Sequence, residues 1–245
     1  MAPRNFIVLT TIRSGSTWFM DVLNHQDDLI AYQELFIDNT AGSGKNQHQF
    51  IHSPVHAKYP RPISAWKYLN KIFYRREAVG FKIMYGQLYS KPEVLIYALS
   101  HQIPFIHLIR SNQFNTYLSK ELVMQRTRHW HARRAESVAE ETEPIHLPTE
   151  GLVAWLDKSY RNIERGRRLL KWLRIDHIEV HYEQLREDPG EFSRVFEFIH
   201  SKVPDTLPES RYRITRARSQ KETIANYPKL RAVLETTPYA HLLDE

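Results

Sequence analysis

The sequence contains no cysteine, which excludes disulfide bonds, thiolate nucleophiles and cysteine-ligated metal sites. It also lacks any apolar run approaching the roughly 18 residues of a membrane-spanning helix. The one apolar run near the N-terminus, residues 6–9, leads directly into a polar motif and therefore reads as a core strand rather than a signal peptide. We therefore expect no membrane span and a cytoplasmic location, with which the absence of cysteine is compatible.

The chain has 245 residues, of which 42% are hydrophobic and 25% charged, enough for one sizeable core. We predict a single domain over residues 1–245, with residues 38–78 and 126–150 as variable insertions or loops. The second of these segments is charged and contains proline, so we expect it to be solvated. The net charge of +6 suits an anionic ligand such as a nucleotide, but it suits nucleic acid as well.

Short apolar segments alternate with amphipathic segments of helical period along the chain. This alternation predicts an α/β fold with a parallel sheet, flanking helices and right-handed crossovers. The predicted strands are residues 6–9, 29–32, 79–85, 104–109 and 177–182. The predicted helices begin near residues 16, 66, 92, 111, 151 and 189.

The first strand is followed by a polar turn over residues 10–15, and an amphipathic helix then opens at Ser16 and Thr17. This order directs backbone N–H groups and the positive end of the helix dipole at one spot, which favours a phosphate. The turn is not a Walker A loop, because Gly15 is its one glycine and no lysine directly precedes the hydroxyl residue.

The string R-S-G-S-T-W at residues 13–18 resembles the 5′-phosphosulfate loop of sulfotransferases that use 3′-phosphoadenosine 5′-phosphosulfate (PAPS). The resemblance implies a fold similar to that of P-loop NTPases, and it places Arg13 where this family has a catalytic lysine. The residues implied to bind the 5′ end of PAPS are Arg13, Ser14, Gly15, Ser16, Thr17 and Trp18.

A second motif lies about a hundred residues further on, where a predicted strand ends at Arg110 and Ser119 follows nine residues later. Sulfotransferases carry an arginine and a serine at this spacing, and the resemblance implies that both bind the 3′-phosphate of PAPS. The physical reason is that a strand-end guanidinium offers a bidentate fork, and a serine about two helical turns on can face the same pocket.

Two further segments resemble the nucleotide-binding parts of the same family. Tyr182 opens a Y-E-x-L segment whose tyrosine is implied to lie near the adenine. A basic segment near the C-terminus resembles the loop that covers the 3′-phosphate, with Arg216, Arg218 and Lys221 as candidates. An ordinary basic surface turn is an equally good interpretation of that segment.

The candidate catalytic residues are Arg13, Glu34 and Lys82. In the trehalose-type bacterial branch a glutamate after the second strand is the proposed general base, and Glu34 holds that position. Lys82 matches the lysine of the family's F-K-x-M or K-T-H strand, while Met84 replaces the histidine of K-T-H. A solvated glutamate and a strand-end lysine that extends to water remain the alternatives for Glu34 and Lys82.

The resemblance therefore implies a sulfotransferase that moves a sulfuryl group from PAPS to a hydroxyl of a small molecule or carbohydrate, releasing PAP and needing no metal. The carbohydrate-acting bacterial branch is the most similar. The alternatives are a small-molecule kinase using ATP and Mg²⁺, and a non-enzymatic RNA-binding protein suggested by the basic charge. We expect no nucleic-acid partner, and the sequence leaves open the acceptor and whether the chain forms a homodimer.

Overall fold

A computed structural model describes residues 3–37, 48–75, 77–127, 143–212 and 219–243. Five strands form one sheet in the order β2-β3-β1-β4-β5, and every neighbouring pair is parallel. The strands are β1 (Phe6–Thr10), β2 (Leu29–Glu34), β3 (Ala78–Met84), β4 (Phe105–Ile109) and β5 (His177–His181).

The sheet order reverses at β1, because β3 lies on one side of it and β4 on the other. The carboxyl ends of parallel strands share one edge, and ligands of open α/β sheets bind outside that edge where the strand order reverses. Thr10 pairs with Met84 at the ends of β1 and β3, so these two strands finish level with each other. The topology therefore makes the carboxyl end of β1 the expected ligand-binding crevice.

Helices cover both faces of the sheet, as expected for strands that are buried on both sides. The α-helices of the described residues are α1 (Ser16–Leu23), α2 (Pro54–Lys58), α3 (Ile63–Phe73), α4 (Tyr85–Ser90), α5 (Pro92–Ser100), α6 (Gln113–Leu122), α7 (Leu152–Trp172), α8 (Tyr182–Glu187), α9 (Glu191–Phe198), α10 (Gln220–Thr223) and α11 (Tyr227–Glu235). Short 3₁₀ turns occupy Phe50–His52 and Ala240–Leu242, and a π-helical turn occupies Val123–Thr127.

The strand side chains alternate between two apolar layers. Phe6 and Val8 face the layer formed with α1 and α9, and Ile7 and Leu9 face the layer formed with α3, α5 and α7. A third apolar cluster joins α6, the start of α7 and α11. The predicted α/β class, a parallel sheet flanked by helices, is confirmed.

Several features differ from the sequence-based expectations. Tyr182, the last residue of a predicted strand, instead opens α8. Ile145 and Leu147 lie in the segment expected to be solvated, yet both are buried in the third cluster, and Ile145 pairs with Ile224. Helix α4 has no counterpart in the sequence-based prediction, in which the preceding strand runs through Tyr85; this residue instead opens the helix. No helix of the described residues is long and apolar enough to cross a membrane.

Asp21 fixes α1 to the segment that follows α9. Its buried carboxylate accepts hydrogen bonds from the Ser210 hydroxyl at 2.8 Å, the Arg211 backbone N–H at 2.7 Å and the Arg211 guanidinium at 2.7 Å. Burial by itself would raise the pKa of Asp21, but the hydrogen bonds from Arg211 and Ser210 outweigh it and lower that pKa. The helix that opens at the crevice is therefore anchored at its far end by a charged contact.

Gly80 allows β1 and β3 to pair closely, because the ring of its partner Phe6 covers it. A Cβ at Gly80 would lie 2.1 Å from that ring, whereas a Cβ at Gly86 would meet nothing within 4 Å.

We expect Gly80→Ala to lower the free energy of unfolding by about 2 kcal/mol through overpacking, measured by urea denaturation. Gly86→Ala is the matched control and should change it by less than about 0.5 kcal/mol. The Gly80→Ala/Phe6→Leu double variant should recover part of the loss; equal stability of both single variants would contradict this packing.

Candidate anion-binding site

The loop between β1 and α1 has an unusual backbone, with positive φ at Arg13 (56°) and at Gly15 (79°). Gly15 is the N-cap of α1, and no side chain caps the helix there. A Cβ at Gly15 would lie 2.3 Å from the ring of Tyr182, so glycine is required by both conformation and space. The first turn of α1 therefore presents N–H groups without intrahelical partners toward the crevice.

Hydroxyl groups brace this loop from within. The Ser14 hydroxyl lies 2.7 Å from that of Thr10 and donates to the Thr11 carbonyl at 2.9 Å. Thr10 in turn donates to the Leu108 carbonyl of β4 at 2.8 Å. The Ser14 side chain is therefore committed to the loop, and its backbone N–H remains the group suited to a ligand.

Arg13, Arg110 and Ser119 meet on one side of the loop, although about a hundred residues separate Arg13 from the other two in sequence. The Arg13 Nε donates to the Ser119 hydroxyl at 3.0 Å, and an Nη of Arg110 donates to the Arg13 carbonyl at 3.0 Å. The Arg110 guanidinium lies over the Tyr182 ring, 5.3 Å from its centroid. Burial, and then the nearby Arg110 charge, lower the pKa of Arg13. Two cations thus crowd one crevice, an arrangement that an anion would relieve.

One polar atom of the Arg110 side chain has no hydrogen-bond partner among the described residues. This atom is Nε, which is buried. Burial lowers the pKa of Arg110, yet a guanidinium remains charged in proteins. A buried N–H without a partner is rare in native structures and calls for an acceptor, which a phosphate oxygen would supply.

Lys82 lies beneath the start of α1 on the other side of the loop. Its side chain is only 2% exposed, and its ammonium donates to the Thr17 hydroxyl at 3.0 Å and to the Ser16 hydroxyl at 3.4 Å. Burial lowers the pKa of Lys82 to about 8, which the Glu34 charge partly offsets and the Arg13 charge reinforces. At neutral pH the ammonium is charged, and an anion at the helix start would favour that charged form.

Glu34 reaches this lysine through an irregularity in β2. The β2–β3 register skips Gln33, so that Tyr32 pairs with Phe81 and Glu34 pairs with Lys82. A bulge of this kind re-aims the side chain that follows it, here onto the face of the sheet that carries Lys82. A Glu34 oxygen lies 3.7 Å from the Lys82 ammonium, and the other accepts a 2.7 Å hydrogen bond from the Gln87 amide.

The loop after β4 is held by Glu183, which directly follows Tyr182. Its carboxylate accepts hydrogen bonds from the backbone N–H groups of Ser111 at 2.9 Å and of Asn112 at 3.3 Å. Asn112 caps α6 by accepting from the Asn115 N–H at 2.9 Å. This bracing sets the start of α6, the helix that carries Ser119.

The structure brings together most of the residues that the sequence singled out. Trp18 packs edge-on against Tyr182 and Phe192, with ring centroids 5.9 and 5.4 Å apart. Lys221 is exposed on α10, while Arg216 and Arg218 lie outside the described residues. Gln87 is a site residue that the sequence-based prediction does not include. The one sequence feature that indicates it is a glutamine at the third position of a helix, and that prediction does not contain helix α4.

Within the described residues, no three histidine, aspartate or glutamate side chains come close enough together to hold a metal ion. His48, His52 and His56, whose spacing resembles that of metal ligands on a helix, do not form such a group. His48 instead packs against Tyr32 and His56 against Phe50.

Comparisons with known proteins bear on the fold. No protein-family model matches the sequence, and no curated protein matches it. Among solved structures, the chain is similar to a sulfotransferase from Alicyclobacillus acidocaldarius, with a TM-score of 0.50 and 14% sequence identity. The match covers 100% of this chain and 98% of that one. At this identity the similarity shows a sulfotransferase-like fold.

Gly15 and Gly151 form a natural pair for testing the loop, because both have positive φ but only Gly15 has no room for a Cβ. We expect Gly15→Ala to lower the free energy of unfolding by about 3 kcal/mol, from strain plus the clash with Tyr182. Gly151→Ala carries the strain alone and should cost about 1 kcal/mol. Titration with inorganic pyrophosphate should show at least tenfold weaker binding for Gly15→Ala and unchanged binding for Gly151→Ala. Equal effects of both substitutions on binding would contradict a loop shaped for an anion.

Proposed function

We propose that this chain is a PAPS-dependent sulfotransferase that moves a sulfuryl group to a hydroxyl of a small molecule or carbohydrate. The observation that carries the proposal is the joint presence of Arg13, Arg110 and Ser119 beside the start of α1, with the buried Nε of Arg110 lacking an acceptor among the described residues. Two anion subsites share one crevice there, which suits a ligand with phosphates at both ends. The sulfotransferase-like fold supports the same assignment.

The residues present fit such a nucleotide. The N–H groups of Ser14 to Thr17 and the helix start would hold the 5′-phosphate, because an uncapped helix N-terminus is an anion site. Arg110 and Ser119 would hold the 3′-phosphate through charge-assisted hydrogen bonds. Tyr182, which contacts Trp18 and lies under the Arg110 guanidinium, is the residue that the resemblance places near the adenine. Of the three candidates for covering the 3′-phosphate in the basic segment, Lys221 is the one that lies within the described residues.

The chemistry divides among three side chains. Bound PAPS supplies the sulfuryl group, whose bond to the 5′-phosphate oxygen breaks as the acceptor oxygen attacks in line. Arg13 stabilises the negative charge that develops on that phosphate oxygen, and Lys82 stabilises the sulfuryl oxygens. Glu34 takes the proton from the acceptor hydroxyl, so the acceptor leaves as a sulfate ester and the electron pair of the broken bond stays on PAP. These fixed cations do the work that Mg²⁺ does in phosphoryl transfer.

The proposal of a carbohydrate acceptor is based on the resemblance to the carbohydrate-acting bacterial branch and on Glu34 as the proposed base. In that branch a glutamate after the second strand is the proposed base, and Met84 leaves this chain without the histidine of the K-T-H pattern. Incubation with [³⁵S]PAPS and a panel of sugars, phenols and lipid alcohols would identify the acceptor. Label transferred to a sugar supports the branch, and label confined to phenols contradicts it.

Thermal shift separates this function from the kinase and RNA-binding alternatives. PAP at about 100 times its Kd should stabilise the protein by about 2.7 kcal/mol, which corresponds to a Tm rise of roughly 5–10 °C for a chain of this length. 5′-AMP, which lacks the 3′-phosphate, should give a clearly smaller rise. Arg110→Ala should reduce the PAP response to that of 5′-AMP. Stabilisation by ATP–Mg²⁺ or by RNA, with none by PAP, would overturn the proposal.

Replacing the proposed base separates chemistry from binding. Glu34→Gln keeps the shape of the side chain but cannot accept the proton, so we expect turnover to fall by about 10²- to 10⁴-fold. The PAP-induced Tm rise should stay within about 1 °C of the native one. Glu77→Gln, which removes an exposed carboxylate just before β3, is the matched control and should retain full turnover. Native turnover in Glu34→Gln would assign the base elsewhere.

A further inference from the structure

Gln87 bridges β3 and β2 at the carboxyl edge of the sheet. It is the third residue of α4, which begins directly after β3. Its Oε1 accepts from the Met84 backbone N–H at 3.0 Å, and its Nε2 donates to the Glu34 carboxylate at 2.7 Å. We propose that Gln87 is the positioning residue for the general base, an inference that rests on the function proposed above.

The orientation of the Gln87 amide is fixed by its two partners. A backbone N–H can only donate, so Met84 requires the amide oxygen; an ionised carboxylate can only accept, so Glu34 requires the amide nitrogen. Reversing the amide would break both hydrogen bonds at once. The start of α4 thus aims one rigid donor at Glu34.

This donor acts against a competing attraction. Among the described residues, the charged group beside Glu34 is Lys82 on β3, and Arg13 of the loop acts in turn on Lys82. A charge-assisted hydrogen bond measures about 2.7–2.9 Å. The Glu34 oxygen and the Lys82 ammonium form a longer ion-pair contact of 3.7 Å. Gln87 holds the other Glu34 oxygen, and the hydroxyls of Thr17 and Ser16 hold the ammonium.

The separation matters because the two groups have different tasks. A closed Glu34–Lys82 ion pair would occupy the base and would withdraw the ammonium from the transferring group. Held apart, the carboxylate keeps lone pairs directed at the crevice, where its side chain is 21% exposed. Gln87 therefore keeps the base and the cation distinct, as a supporting residue must for groups that act within hydrogen-bond reach.

Two substitutions at Gln87 test this role, with the acceptor that the [³⁵S]PAPS panel identifies. Gln87→Met keeps the length and removes both hydrogen bonds; kcat should fall about 10- to 100-fold while the PAP affinity stays within twofold. Gln87→Glu keeps the Met84 contact but faces Glu34 with a second carboxylate. The acidic limb of its kcat/KM profile should move up by about one pH unit, because like charges disfavour the ionised base. Ser90→Glu, which adds an exposed carboxylate to the same helix, is the control and should leave the profile unchanged.

A swap separates positioning from a merely structural contact. In Glu34→Gln/Gln87→Glu the amide and the carboxylate exchange places, so the hydrogen bond between them is restored. We expect the Tm to recover and kcat to remain low, because the proton acceptor then lies on α4 instead of on β2. Recovery of kcat in the swap, or native kcat and an unshifted pH profile in the single variants, would overturn the role of Gln87. Absence of sulfuryl transfer by the native protein to any acceptor would instead overturn the proposed function, and the positioning role with it.

Discussion

The buried ammonium of Lys82 is the constraint on which the crevice depends. A charge removed from water costs several kcal/mol unless hydrogen bonds and opposite charge compensate it. Here the compensation within the described residues comes from two hydroxyls at the start of α1 and from a glutamate that stays 3.7 Å away. That compensation is incomplete, as the lowered pKa of Lys82 shows. Proteins retain such groups where a ligand completes the electrostatics.

The same argument extends across the loop. Arg13 and Arg110 bring two more cations to the crevice, and Gly15 leaves the helix N-terminus uncapped. Each feature is unfavourable alone, and an anion bound at the loop would relieve all of them. Arg13 connects the β1–α1 loop to Arg110 and Ser119, because its side chain donates to Ser119 and its carbonyl accepts from Arg110. The crevice therefore behaves as one preorganised site rather than as scattered surface cations.

The sequence was sufficient for the parts of this arrangement that local patterns determine. A β-branched run followed by a glycine turn and an amphipathic segment predicts the β1–loop–α1 unit, and helical period places Ser119 about two turns beyond Arg110. The pairing of Glu34 with Lys82 could not be predicted, because it depends on a one-residue skip between strands that are distant in sequence. Gln87 was out of reach for a similar reason: its role exists only once β2 and β3 are neighbours.

Met84 contributes to this site through its backbone and not through its side chain. In the K-T-H pattern this position carries the catalytic histidine, and here the methionine side chain has no acid–base chemistry. Its backbone N–H nevertheless orients Gln87, and Gln87 holds Glu34 on the neighbouring strand. In the proposed function, the end of β3 thus supports a base that lies on the neighbouring strand β2. A carboxylate so placed needs both the bulge that turns it toward Lys82 and the amide that stops it from closing on Lys82. The Met84 backbone N–H, acting through Gln87, and the irregularity in β2 therefore together fix the position of the Glu34 carboxylate.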